Sequence, residues 1–479
     1  MGQHAGTMDE LAPGPQCAAD RDTNNARPQP EHTGVGFSRG WQAGRPPSAD
    51  VTHHVRPGAG EGAPADVAHA QWSTFPDRSS IETRTGIGTS TSTSTSTGTI
   101  KSASTSTSTS TVASIGGGAY ARVLSQPAGA RLYRVRKLGG EGEFATITEA
   151  LAQWNLDKRS IAGCHAAVIE LDDSGTYHEA PVFLIEPGEY LQLRAAHMAR
   201  PVLRSPGGGQ SLGFAVRGGA GSRFVMDGVM LAGGAIDIAN AHPVAQGCAG
   251  ASRFSVRLSH CTLVPGWDPD SMLRAPWRGH ASITVHGAPM ALRIEHCILG
   301  ALRVAADTAP AHALELHVGD SIIDGGHDAA LAISDSGCGA AMASADFCRV
   351  TVIGSIALHR LGWAENAVFL GAVLVSQGSA GCLSYCYLAP GSRTPLRTHC
   401  QPELAQQGQG ADAESEALRV RPRYVSLRYG APGYGQLAPD CAAEISCGAD
   451  DGAGMGAMHH QHQASHMVAA SSRQPYARA

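Results

Sequence analysis

The chain has 479 residues and a formal net charge of −5; charged residues make up 16 %, aromatics 5 %, and glycine is abundant at 59. That length suits two or three average domains or one long repeat array. The acidic balance lacks the footprint of a nucleic-acid binder, and no window approaches the roughly 18 apolar residues of a membrane span, so neither nucleic acid nor membrane is expected as a partner.

The opening "MGQHAGTMDELAPGPQCAAD" has no basic segment followed by an apolar run, and Gly6 stands where a myristoylation signal wants Ser or Thr. Cytoplasmic synthesis without a signal peptide is the reading. None of the twelve cysteines shows the C-x2-C spacing of a zinc ribbon, and free thiols are expected.

Residues 1–117 are rich in Pro, Gly, Ala, Asp and His and close on the tract "GTSTSTSTSTGTIKSASTSTSTSTV". Such a segment cannot bury enough apolar surface to offset its ordering entropy, so it is predicted disordered. In "GEFATITEALAQWNL", Ile147, Ala150, Leu151 and Trp154 fall on one helical face. A short helix over 144–154 is predicted, with Thr146 or Thr148 as N-cap and Glu149 in the first turn. Strand-like runs follow at 181–186 and 190–194.

From there to about residue 390 the chain repeats itself. Val256 and Leu258 alternate, two residues intervene, then Cys261 and Leu263 alternate. Leu292, Ile294, Cys297 and Leu299 do the same; so do Leu316, Val318, Ser321 and Ile323, and Ala345, Phe347, Val350 and Val352. Weaker copies fit at Val225, Gly228 and Met230, and at Leu383, Cys386 and Leu388. The third positions, 228, 261, 297, 321, 350 and 386, are spaced by 33, 36, 24, 29 and 36 residues. Two short strands around a two-residue corner, stacked with loops of varying length, describe a repeat array. Cys261, Cys297, Ser321 and Val350 then form an inward column in which cysteine acts as a small hydrophobe. Asp227, His260, His296, Asp320 and Arg349 are placed at exposed corners, and their mixed charge argues against a metal. Gly233, Gly266, Gly300, Gly325, Gly354 and Gly391 are read as turn glycines at the exits.

"GEFATITEAL" followed by "GTYHE" resembles the start of pectin methylesterases, which belong to the pectin-lyase-like class of right-handed parallel β-helices with a capping helix. The catalytic Asp and paired Gln of those esterases have no counterpart, nor does the polygalacturonase set; "GGHDAA" only approximates its Gly-His-Gly. A second, longer resemblance rests on "HCTLVPGW", "GSRTP", "CQP", "SLRYGAPGYGQLAPDC" and "EISCGADDGAGMGAMH". These are similar to a β-helical bacterial family, without an assigned activity, associated with gene clusters for contractile phage-tail-like particles. This resemblance covers about 130–460, and after Met458 "HHQHQASHMVAASSRQPYARA" departs from the amphipathic helix it would imply.

The densest chemistry-bearing stretch is "DSIIDGGHDAALAISD", with Asp320, Asp324, His327, Asp328 and Asp335. Paired acids there suit acid–base hydrolysis or Ca2+ binding. Asp and Gly are also ordinary turn residues, and turn chemistry is the preferred reading. His459, His460, His462 and His466 in the tail suit adventitious metal binding rather than a built site. "GADDGAGMG" lacks EF-hand spacing, and "GGAGS" is no phosphate loop.

The expected architecture is therefore all-β: a right-handed parallel β-helix solenoid over 118–400 with a short N-terminal capping helix. A disordered region, 1–117, precedes it, and an irregular extension, 401–479, ending in a disordered His-rich tail, follows. The expected function is that of a non-catalytic structural or adhesive protein, on the second resemblance a component of a phage-tail-like particle. Its partners would be other particle proteins or a surface glycan. The alternative is a carbohydrate-active lyase, esterase or hydrolase, with Asp320, Asp324, His327 and Asp328 as the only catalytic candidates. No cofactor or metal is expected.

Overall fold

Short strands paired in parallel carry the structure. The computed structural model describes residues 115–118, 121–140, 142–206, 214–241, 253–266, 280–287, 290–305, 313–378, 380–408 and 412–459. The Ser/Thr tract, nearly all of the segment predicted disordered, and the tail beyond His459 lie outside the described residues. Twenty-seven strands among the described residues fall into one 18-stranded and one nine-stranded sheet. The larger sheet contains two ladders. One runs from Arg131–Val135 through Phe254–Ser259 to Leu396–Thr398. The other runs from Val182–Ile185 through Ala281–His286 to Val373–Gln377. They join in Ser355–Glu365, whose two halves pair in different ladders. The nine-stranded sheet is a third ladder of very short strands, from Thr176–His178 to Tyr387–Leu388.

The chain visits the first, third and second ladders in turn. Phe254–Ser259, Thr262–Leu263 and Ala281–His286 make one pass; Met290–Glu295, Ile298–Leu299 and Ala301–Val304 make the next. This mostly parallel, all-β arrangement is compatible with a parallel β-helix. One buried cluster runs from Tyr133 to Cys400 and is shared by all three ladders.

The helix Ile147–Ser160 sits at the N-terminal end of this core. Thr146 closes a capping box with Glu149, and Ile147, Ala150, Leu151 and Trp154 are buried, as their period implies. The helix runs to Ser160, beyond the predicted end at 154, because Asp157 is held by Tyr133 Oη (2.8 Å) and Gln153 Nε2 (2.9 Å). Lys158 lies over the Trp154 ring, 4.1 Å from its centroid.

The corner between the first and third ladders is the most regular feature. Its first residue adopts a left-handed backbone in pass after pass: His260 (φ 50°), His296 (52°), Asp320 (47°), Arg349 (52°), Asn366 (54°), Tyr385 (52°) and His399 (53°). Asn, Asp and His tolerate this region best among residues with a Cβ. Side-chain stacking adds support. His260 and His296 lie parallel at 4.8 Å, as do Tyr385 and His399 at 4.9 Å. Arg349 forks onto Asp320 with two 2.6 Å bonds.

The second corner residue points inward. Cys261, Cys297, Ser321, Val350, Ala367 and Cys386 are all fully buried there. Packing is only part of their role. The Cys261 N–H donates to Cys297 Sγ (3.4 Å) and the Cys297 N–H to Ser321 Oγ (2.9 Å). Cys297 Sγ in turn donates to Glu295 O (3.1 Å) and Ser321 Oγ to Gly319 O (2.6 Å). The thiol or hydroxyl therefore gives the buried amide of the preceding pass a partner. A purely hydrophobic reading of the column missed this.

The strand register corrects two repeat assignments. Met230 pairs with Thr262, so Val229, not Gly228, is the counterpart of Cys261. Phe224 and Met226 face inward and Val225 does not; Asp227 pairs with Ser259 and is no corner residue. Gly228 takes the left-handed position (φ 75°), and a Cβ there would meet Arg122 Nη2 at 2.2 Å. A whole pass between Val350 and Cys386 also escaped notice. Ala367 and Phe369 are its inward residues, with Thr351 paired to Val368 and Val368 to Tyr387. Of the six exit glycines, Gly233, Gly266, Gly354 and Gly391 have positive φ. Gly300 and Gly325 are small for another reason: a Cβ would lie 2.6 Å from Ser282 Oγ or 3.0 Å from Ile353 O.

Two flanking segments cover the outer side of the third ladder. Gly116 N–H donates to His296 O (2.7 Å) and Gly117 N–H to Thr262 Oγ1 (2.9 Å). Further along, Tyr434, Leu437, Cys441, Ile445, Met455 and Ala457 pack on Ile322, Ile353, Val368, Leu370 and Tyr387. Ala457 N–H bonds Thr351 Oγ1 (3.0 Å), and Asn366 exchanges two bonds with Asp450. His459 is buried, with Nδ1 2.9 Å from Gly454 O and Nε2 3.0 Å from Asp451 Oδ2.

Two expectations follow for stability. His296→Val should unfold at lower denaturant than His296→Asn by about 1–2 kcal/mol, because only Asn accepts the left-handed backbone easily; equal midpoints would contradict the corner argument. Cys297→Ala should lose about 1–3 kcal/mol by orphaning the Cys261 amide, and Cys297→Ser clearly less. Urea titration of the three proteins checks the order.

Candidate functional site

The acids singled out by sequence do not converge. Asp320 is buried at its corner and held by the Arg349 fork. Asp324 is buried as well; its Oδ2 accepts from Tyr434 Oη (2.8 Å) and its Oδ1 from Gly326 N–H (2.8 Å). Asp328 pairs with Arg421 at 2.6 Å. Asp335 accepts from Gly339 N–H and caps its turn. His327 is exposed, with its carbonyl accepting from Ala330 N–H. The sequence placed these acids at corners diverging into solvent. For Asp320 and Asp324 that is overturned: at 8 % and 7 % exposure they lie under Arg349 and under the C-terminal segment. Residues packed over a strand's outer side give a one-chain pattern no local sign, so the error is intelligible.

The first ladder presents a charged outer face. Arg257 and Arg293 are register neighbours, and both reach Glu295, at 2.5 and 2.7 Å. In earlier passes, Arg194 binds Glu170 at 2.7 Å and Arg122 approaches Asp227 at 3.8 Å. Arg134, Glu170, Arg194 and Asp227 alternate in one column, whereas Arg257 and Arg293 stand side by side in another and share Glu295. Burial pushes the Glu295 carboxyl up, but Arg257 and Arg293 outweigh it and hold it below the ordinary glutamate value. Burial likewise dominates at Asp227 and raises it despite Arg122.

A different cluster lies on the second ladder. Asp237 is 4 % exposed although it faces outward between Ile236 and Ile238. Arg217 Nη2 bonds its Oδ2, and Arg217 Nη1 bonds its carbonyl at 2.8 Å. His286 Nε2 lies 3.0 Å from Oδ1, and the imidazole is about half exposed. Asp237 pairs in register with Thr284, and Thr284 with Arg303. The arrangement sets a half-exposed imidazole beside a buried carboxylate on the outer face of the sheet. Sequence reasoning passed over it. The only local sign is an acid between two isoleucines in a period-2 run, and Arg217 and His286 come from other passes.

A third feature is a groove of about 510 Å3 on the outer side of the third ladder, lined by Ser174, Thr176, Arg200, Val202, Arg204, Met230 and Ala232. Arg200 reaches across it to Met230 Sδ (3.5 Å), and its N–H donates to Ser174 Oγ (3.0 Å). Among the described residues, no group of three or more His, Cys, Asp and Glu side chains is arranged to hold a metal ion. No described helix is long and apolar enough to cross a membrane.

No protein-family model matches this chain, and no curated protein matches it. Neither the pectin-lyase-like nor the phage-tail resemblance therefore gains support from a relative, and the functional reading must come from the residues themselves.

The Glu295 cluster generates a pH expectation. Its folded value lies below the unfolded one of about 4.3. The stabilisation is complete above that value and is lost as pH falls through the lower folded value. Wild type and Glu295→Gln should therefore differ most at neutral pH and converge in acid. Denaturant midpoints across pH 7 to 3 read this, and a gap that widens in acid would refute it.

Proposed function

We propose that the chain is a right-handed parallel β-helix solenoid acting as a non-catalytic structural or adhesive protein, of a kind that would serve in a phage-tail-like particle. One observation carries this reading: Asp320, Asp324 and Asp328, the acids the sequence offers for chemistry, are each bound to a different structural partner. A carboxylate fixed by an Arg fork or a buried tyrosine is not available for proton transfer to a substrate. Three parallel ladders also supply a long surface, and on the first of them Glu170 and Glu295 are paired with arginines. Its partners would be other particle proteins or a surface glycan.

A second reading, a carbohydrate-active lyase, esterase or hydrolase on this scaffold, is favoured by the Arg217–Asp237–His286 cluster alone.

The purified full-length chain, incubated with a panel of acidic and neutral polysaccharides with and without Ca2+, should release no products. Turnover abolished by His286→Asn or Asp237→Asn, with folding intact, would replace the structural reading with the enzymatic one. Turnover abolished by Asp324→Asn would do so through the sequence-predicted acids.

A further inference from the structure

We propose that Cys386 and Cys400 form a redox cross-link site, which hydrogen peroxide oxidises to a disulfide tying the last pass of the stack to the one before it. The inference goes beyond the adhesive reading and does not depend on it.

The two cysteines share one column. Tyr385 and His399 are successive left-handed corner residues, and Cys386 and Cys400 are the inward residues that follow them. The register around them agrees: Ser384 pairs with Thr398, Tyr387 bridges to Gln401, and the Gln401 N–H donates to Cys386 O at 2.8 Å. In-register parallel neighbours stand about 4.8 Å apart, inside the roughly 4.4–6.8 Å range of Cα separations in disulfides. Both thiols are free, and both point into the same interior, at 0 % and 3 % exposure.

Position in the stack decides which pair reacts. An in-register parallel pair keeps its Cβ atoms near the strand spacing, and a disulfide needs them about 3.8 Å apart, so the two passes must close by about 1 Å. Cys261 and Cys297 have the same relation, but Val229 and Ser321 continue their column on either side. Closing that pair would pull each pass away from its other neighbour. Cys400 follows Leu396–Thr398, the last strand among the described residues, and the chain then enters the short helix Glu403–Gln406. The final pass can therefore shift toward Cys386 without opening a further ladder.

The thiols also differ in reactivity. Hydrogen bonding from the Cys386 thiol lowers the Cys400 thiol, with burial opposing it, whereas burial dominates at Cys386 and raises it. Cys400 is thus the attacking sulfur. Its thiolate forms an S–O bond as the O–O bond breaks, and the departing hydroxide takes up the thiol's proton as water. The Cys386 sulfur then attacks the resulting sulfenic acid: the S–S bond forms, the S–O bond breaks, and hydroxide leaves with the Cys386 proton as a second water. Two thiols lose two electrons in all, and one peroxide gains them.

The test uses the full-length protein carrying Cys382→Ser, which removes the exposed cysteine on the same tryptic peptide as Cys386. After peroxide treatment, alkylation and digestion, peptide 361–393 should appear joined to peptide 398–419, lighter than their sum by two hydrogens. The oxidised protein should melt several degrees higher than the reduced one, because the cross-link restricts the unfolded chain. Dithiothreitol should reverse both changes. Adding Cys386→Ser keeps a hydroxyl in the column, as Ser321 does. It should abolish the joined peptide and leave Cys400 as a sulfenic acid that dimedone traps. No joined peptide at a peroxide level that oxidises the exposed Cys338 would overturn the proposal, and so would a joined peptide that persists in Cys386→Ser. Should Cys386→Ser fail to fold, the Cys382→Ser protein alone still decides, since its joined peptide is read without the second variant.

Discussion

Everything in this structure depends on parallel strands being held in register from one pass of the chain to the next. A parallel ladder requires each pass to return to the same height with the same side chains facing in. The left-handed corner residue does this for the junction of the first and third ladders. It turns the chain within two residues, so the inward positions before and after it keep a constant offset. Loops elsewhere vary in length without disturbing the stack, because the corner resets the register each time.

The corner also creates a difficulty, and the column residue resolves it. At the turn, an amide points into the apolar interior where strand pairing does not reach it. Leaving a buried N–H without a partner costs more than a typical hydrogen bond gains. A cysteine or serine in the next pass accepts from it while donating to the carbonyl two residues back. Small size and hydrogen-bonding capacity are both needed there. Where Val350 or Ala367 occupies the column, packing alone is served. His260, His296, Tyr385 and His399 meet a second demand on the outside, where flat rings stack at about the spacing that parallel strands impose.

The same stacking governs electrostatics. In-register strands place like positions about 4.8 Å apart, so a run of one charge would repel itself. On the outer face of the first ladder Arg134, Glu170, Arg194 and Asp227 alternate in one column, and where Arg257 and Arg293 stand side by side Glu295 bonds both.

Much of this was legible in residue order. The Ile147, Ala150, Leu151 and Trp154 period announced the helix, and the Cys261, Cys297 and Ser321 alignment announced a shared inward column, because burial on one face writes a period into the chain. Passes with small inward residues were harder: Ala364 and Ala367 carry too little apolar contrast to mark a strand, so the pass ending at Phe369 vanished into a longer interval. Gly228 was misaligned because a glycine has no side chain to declare its face. Tertiary structure alone decided the rest. That Tyr434 covers Asp324, that Arg122 seats on Gly228, and that Arg217, Asp237 and His286 share one patch depend on contacts between distant segments, and no local period records such contacts. Local patterning reports which way a residue faces; what it faces is set by the register of the neighbouring passes and by the segments that fold back over them.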